Sequence, residues 1–203
     1  MEVKRFLQKL SSDTPTPGGG SASALAGALS ASLVAMVAGL SSKRGSAKMK
    51  GAAGIRKRGL FVQKRLFRAI EEDSKSYDAV IKAFRLPKSS EKMRLQRARQ
   101  IQKAYREATL IPQQVCQQSL RLLEYSRALV LKGNPKAISD AGVAAFLADA
   151  ALAGGMLNIK INLAGVTEKP FAKRMNALMR DWSRKRNRLM KMIIVKLTGF
   201  SHV

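Results

Sequence analysis

Residues 22–40 form an unbroken run without a charged side chain, in which Ala, Ser and Gly occupy most positions. A helix built this way offers little bulk to specify its own packing, but it lets neighbouring backbones approach closely on several sides. It belongs at the centre of a bundle and requires long partner helices around it. Leu25, Leu29, Leu33 and Met36 form its one ridge of larger side chains. A second small-residue run, residues 141–161, charged only at Asp149 and Lys160, repeats the requirement. Two such helices are difficult to cover within one small bundle, so an assembly of two or more copies is expected. Residues 22–40 are also the single stretch that reads as near membrane length. Without a second candidate span, burial inside a helical body is the expected reading.

The partner helices are legible in the rest of the chain. Helical spacing predicts a short helix over 3–10 and a long one from about 48 to 84, with Ile55, Leu60, Leu66, Ile70, Tyr77, Val80, Ile81 and Phe84 as its apolar positions. Leu86-Pro87 ends that helix, and Ser89 or Ser90 caps another over roughly 90–109. Pro112 is expected to open a further helix reaching about 131. A final helix spans about 169–197, with Met175, Leu178, Met179, Trp182, Leu189, Met190 and Ile193 on one stripe. No convincing alternating strand appears. With 203 residues and an aromatic content of only 5%, the chain reads as one all-α domain over 1–203. The expected architecture is a compact bundle of long helices around two buried small-residue helices.

Two irregular segments introduce the small-residue helices. Ser11 to Ser21, SSDTPTPGGGS, combines two prolines with Gly18, Gly19 and Gly20; residues 133–140, GNPKAISD, supply a stop, a turn and a cap at Ser139 or Asp140. If the two helices lie side by side with these corners together, their N-terminal N–H groups face one electron-rich ligand. A flexible linker accounts for the PGGGS residues equally simply. The run is not a phosphate loop, because no strand precedes it and no Gly-Lys-Ser/Thr follows.

Acids are scarce, 13 against 38 Lys and Arg, and the formal net charge is +25. From 43 to 68 there are ten basic residues and no acid. Such a surface attracts polyanions without specificity. Against it, Asp73 and Asp78 in EEDSKSYD, and Asp140, stand out as candidate acids. Carboxylates that merely balance nearby cations are the plain alternative. Asp149, within an apolar run, requires a basic partner. Asn158 and Asn162 lie four apart on one face, able to meet a heterocycle or to bond helix ends. His202 is the lone histidine and Cys116 the lone cysteine, which excludes a histidine triad, a histidine or cysteine metal cluster and an internal disulfide. No metal or cofactor is expected. The single cysteine and the absence of a secretory-type N-terminus point to a cytoplasmic protein.

Three stretches together resemble the cyclodeaminase/cyclohydrolase family, which comprises the C-terminal domain of formiminotransferase-cyclodeaminase and the stand-alone methenyltetrahydrofolate cyclohydrolases. They are TPTPGGGSASALAGALSASLVAMVAGLS at 14–41, EEDSKSYDAVIKAFRLPKSSEKMRLQR at 71–97 and GNPKAISDAGVAAFLADAALAGGMLNIKINL at 133–163. The resemblance implies an all-helical homo-oligomer, a dimer in the first instance. Its substrate is a reduced folate, possible in polyglutamylated form, and no separate cofactor takes part. The implied reaction is hydrolysis of 5,10-methenyltetrahydrofolate to 10-formyltetrahydrofolate, with ammonia-releasing closure of 5-formiminotetrahydrofolate as the alternative. Asp73, Asp78 and Asp140 are then the candidates for proton handling, and Gly18, Gly19, Gly20, Ser21, Asn158 and Asn162 for substrate binding. Gly39 and Gln114 depart from the family pattern, where Asn and an acid are usual. From another class, a basic helical nucleic-acid-binding module accounts for the charge but not for the glycine- and proline-marked corners.

Overall fold

The computed structural model describes residues 2–42 and 49–199. The break expected at 43–47, the first expected residue of the long helix at 48 and His202 lie outside the described residues. Among the described residues the chain forms α1 (Val3–Leu10), α2 (Gly19–Ser42), α3 (Ala52–Phe84), α4 (Glu91–Lys132), α5 (Ile138–Leu163) and α6 (Lys169–Thr198), with a 3-10 turn at Pro135–Ala137 and no strand.

Successive helices from α2 to α6 run antiparallel. Ser21 meets Ile70 while Gln63 meets Ser32, and Arg97 of α4 returns to Phe84 of α3. Asn162 of α5 reaches Ala108 of α4, whereas Cys116 reaches Leu152. Arg186 of α6 meets Asp149 of α5. α2 sits in the middle against α3, α5 and α4, and α6 covers α4 and α5.

Small side chains make this arrangement possible. A Cβ on Gly155 would lie 2.7 Å from Cys116 Sγ and 3.3 Å from the Pro112 carbonyl, so α4 and α5 touch through a missing side chain. Ala24, Ala31 and Ala38 of α2 and Ala141, Ala144, Ala148 and Ala151 of α5 are fully buried. Ser30 Oγ donates to the Ala144 carbonyl across the contact at 2.7 Å. The expected ridge on α2 faces the other way. Leu29, Met36 and Leu40 are exposed and Leu25 and Leu33 only partly covered, because the close packing is on the alanine face. α5 likewise exposes Val143, Phe146, Leu157 and Ile161.

Both α2 and the segment Pro135–Leu163 are long and apolar enough to cross a membrane, so residues 22–40 are not the single candidate. Here the two helices pack against each other at the centre of the helical body.

Pro112 does not begin a new helix. It lies inside α4, which continues for 42 residues from a Ser90 cap whose side chain accepts from Met93 N–H. Proline removes one intrahelical bond, to the carbonyl four residues earlier. That carbonyl belongs to Ala108 and accepts instead from Asn162 Nδ2 at 2.8 Å. Ser139 and Asp140 also differ from expectation: they lie within the first turn of α5, and Asn134 caps the preceding 3-10 turn by accepting from Lys136 N–H. Asp149 is paired as its apolar surroundings require, taking Arg186 in a two-pronged contact at 2.5 and 2.6 Å.

Helix length creates the one large step in the body. α3 and α4 have 33 and 42 residues, against 24 in α2 and 26 in α5. The C-terminal turns of α3 and the N-terminal turns of α4 therefore run past the start of α2 and the end of α5. The overhang has its own small core of Val80, Ala83, Ile101, Ala104 and Ala108, with Tyr105 against it.

Candidate active site

A cavity of about 410 Å³ occupies that step, where α2 begins and α5 ends. Its floor is the Gly18-Gly19-Gly20 segment. One wall comes from α3 through Asp73 and Tyr77, another from α4 through Tyr105, and the third from α5 through Asn158 and Asn162. Among the described residues Asp73 is the only charged side chain on this lining, in a chain of net charge +25.

Asp73 owes its place to the neighbouring glycine. Its carboxyl group rests against the Cα of Gly20, where a side-chain Cβ would lie 2.6 Å from Asp73 Cγ. The group thereby caps the first turn of α2, where backbone N–H groups lack intrahelical partners and favour a negative charge. Ser21, fully buried, donates its hydroxyl toward Asp73 Oδ2 at 3.0 Å and toward the Ile70 carbonyl at 2.9 Å. Burial raises the Asp73 pKa above the ordinary carboxylate value, and the hydrogen bonds from Ser21 pull it back only in part. A carboxyl group whose pKa is raised by burial takes up and returns a proton more readily than an ordinary exposed one.

The two asparagines are each fixed by one backbone bond. Asn158 Nδ2 donates to Gly154 O at 2.9 Å, and Asn162 Nδ2 to the carbonyl released by Pro112. The amides are thus held by mid-helix carbonyls and not by helix ends, and both residues line the cavity. Phe84 and Tyr105 meet edge to face, with centroids 6.1 Å apart, and form an apolar wall opposite the glycines. Phe84 and Tyr77 remain 43% and 40% exposed, so they line the cavity and do not belong to the core expected from helical spacing.

Gly18, Gly19, Gly20, Ser21, Asp73, Asn158 and Asn162 are thus brought together. Asp78 and Asp140 are not, within one chain. Asp78 lies farther round α3, in a separate groove with Phe6 and Lys9 of α1. Asp140 stands at the far end of the body because α2 and α5 are antiparallel; their starting corners are separated by about the length of α2, roughly 36 Å at 1.5 Å per residue. The expectation that both corners converge is corrected accordingly for a single chain. Tyr105, Phe84 and Ser76 were not among the sequence candidates. The proline in mid-helix and the aromatic at 105 were the available signals. Cys116 takes no part: it is buried in the core and its thiol is pushed up to about 12. No cluster of three His, Cys, Asp or Glu with metal-binding geometry occurs among the described residues.

The step, its half-buried carboxyl group, the two asparagines and the aromatic wall define a helical protein with a cleft that combines one acid, two amides and an aromatic face. The chain belongs to the formiminotransferase-cyclodeaminase family, whose model matches residues 2–181. It is 34% identical to the methenyltetrahydrofolate cyclohydrolase of Methylorubrum extorquens over 84% of this chain and 83% of that protein. It is 28% identical to the formimidoyltransferase-cyclodeaminase of Sus scrofa over 83% of this chain, which spans only 32% of that longer protein. Among solved structures, the formiminotetrahydrofolate cyclodeaminase of Thermotoga maritima superposes with a TM-score of 0.89 at 25% identity, covering 99% of this chain and 98% of that one.

Proposed function

We propose that this chain hydrolyses 5,10-methenyltetrahydrofolate to 10-formyltetrahydrofolate. The observation that carries the reading is Asp73: one half-buried carboxyl group, with a raised pKa, on an otherwise uncharged cavity lining. The substrate carries a positive charge shared across N5, the bridging carbon and N10. Water attacks that carbon, and the Asp73 carboxylate accepts one of its protons. The carbon–N5 bond then breaks as the new hydroxyl becomes a carbonyl. N5 receives a proton from Asp73, the hydroxyl proton leaves to solvent, and the formyl group stays on N10. The glycine floor admits the ring edge, and the Asn158 and Asn162 carbonyls accept from the pterin N–H groups. The folate is the substrate, and proton transfer supplies the chemistry without a further cofactor.

The purified chain is expected to consume the methenyl absorbance of its substrate faster than buffer alone, without releasing ammonia from 5-formiminotetrahydrofolate. Ammonia release without hydrolysis would favour the second reading, a cyclodeaminase, which the likeness to the Thermotoga maritima structure supports. Neither activity would remove both.

The exposed apolar faces of α2 and α5 also support a homodimer, and the reading places the protein in the cytoplasm and off the membrane. At micromolar concentration its mass in solution is expected to be twice that of one chain, and a monomer would contradict this.

A further inference from the structure

α6 carries ten Lys or Arg residues and one acid, Asp181. Its apolar stripe, from Phe171 through Trp182 to Ile193, is buried against α4 and α5. At about 100° per residue, the opposite side collects Lys169, Lys173, Arg180, Arg184, Arg188 and Lys191 within an arc of roughly 100°. All six are exposed. From Lys169 to Lys191 the row is about 33 Å long at 1.5 Å per residue. Asp181 lies at its edge, 2.9 Å from Lys185 and 3.8 Å from Arg184. The other five cations of the row take no ion-pair partner among the described residues.

Like charges one turn apart on a helix repel, and a surface that needs only solubility intersperses them with acids. α3 and α4 do this: Lys75 pairs with Glu71, Arg94 with Glu91 and Lys103 with Glu107. The acid-free start of α3 instead lays Arg58 over Tyr125 and Arg65 over Phe61. Apart from Arg184, the row on α6 has neither arrangement. Its flanks add to it, with Lys160 of α5 beside Arg180 on one side and Arg99 of α4 beside Arg174 on the other. No aromatic side chain lies on the row, so it offers nothing on which unpaired bases stack. It also lacks large apolar side chains to enter a bilayer, since Ile194 and Val195 lie beyond its end. Its length matches about one turn of a nucleic-acid duplex, roughly 34 Å, along which each strand presents a phosphate every ~3.4 Å of axis.

We propose that the outward face of α6 binds the phosphate backbone of double-stranded nucleic acid through Lys169, Lys173, Arg180, Arg184, Arg188 and Lys191. Contacts to phosphates position a duplex without reading its bases, so the binding is independent of sequence. The surface uses none of the residues placed in the cavity, and its binding does not depend on turnover there.

Fluorescence anisotropy of a labelled DNA duplex of about 20 base pairs, titrated with the full chain between about 50 and 200 mM salt, reads this surface. Six phosphate contacts set an expected slope of about −5 in log affinity against log salt concentration. Arg180→Gln/Arg188→Gln/Lys191→Gln preserves helix propensity and is expected to bring the slope to about −3, with binding weaker on the order of tenfold or more. Lys169→Gln/Lys173→Gln, at the other end of the row, reads the same surface independently and is expected to reduce the slope by about 2. Lys57→Gln/Lys64→Gln/Arg68→Gln removes equal charge from exposed positions of α3 and is expected to leave affinity within about twofold. Arg180→Lys/Arg188→Lys, which keeps the charge, is expected to retain binding. Equal weakening by the α3 and α6 triple variants would overturn the proposal, because binding would then follow net charge alone. Tighter binding to a single strand of the same length, or to phosphatidylserine vesicles at the same ionic strength, would overturn it too, as would no duplex binding at the lowest salt.

Discussion

Asp73→Asn is expected to lower hydrolysis of the methenyl substrate by about 10²- to 10⁴-fold, the range associated with loss of a positioned acid or base, without unfolding the protein. The direction of the stability change separates this from a structural lesion. Burial places the folded-state pKa of Asp73 above its unfolded value, so the fold prefers the neutral group. That preference contributes stability below the unfolded pKa and is lost as pH rises through the folded one. Asparagine does not ionise, fills nearly the same space and still accepts from Ser21. The variant should therefore melt at or above the wild-type temperature at neutral pH. The wild-type rate should fall on the acid side at a higher pH than an unperturbed aspartate would set. Near-full turnover by the variant would remove Asp73 from the reaction.

Gly20→Ala is the second large effect. A methyl group there cannot coexist with the Asp73 carboxyl group in its present seat, and Asp73 is the part able to move. Alanine is better tolerated than glycine within a helix, so thermal stability should change little. The carboxyl group, however, leaves the start of α2 and its bond to Ser21. A displacement of about 1 Å can cost on the order of a hundredfold in rate. Turnover and a thermal melt on the same sample check it: loss of both would indicate a folding defect, and loss of neither would show that this seat is dispensable.

Fold class was legible because helical spacing and breakers mark most of the helices, although the two read on either side of Pro112 are one; α1 begins and ends where the apolar positions place it. Orientation was harder to read. The leucine ridge of α2 was legible as a ridge but not its direction: alanines permit the closest approach and leave the leucines outward. Pro112 carried its usual meaning as a helix start, and only the tertiary bond from Asn162 to Ala108 shows why α4 continues through it. Asp73 was legible as a rare acid on the face of Tyr77. Asp140 was grouped with it as another scarce acid beside one of the two marked corners, and a linear sequence does not reveal that antiparallel helices send those corners to opposite ends. Tyr105 and Phe84 were missed for a related reason: the overhang that exposes them arises from unequal helix lengths, which single-helix periodicity does not compare.

A lone carboxylate in an uncharged hollow has one more effect under the proposed reaction. The bridging carbon arrives within a cation and leaves as a neutral formamide, so the attraction that draws the reactant in is extinguished by the reaction itself. Turnover and release are then coupled through a single group, and product inhibition should be correspondingly slight.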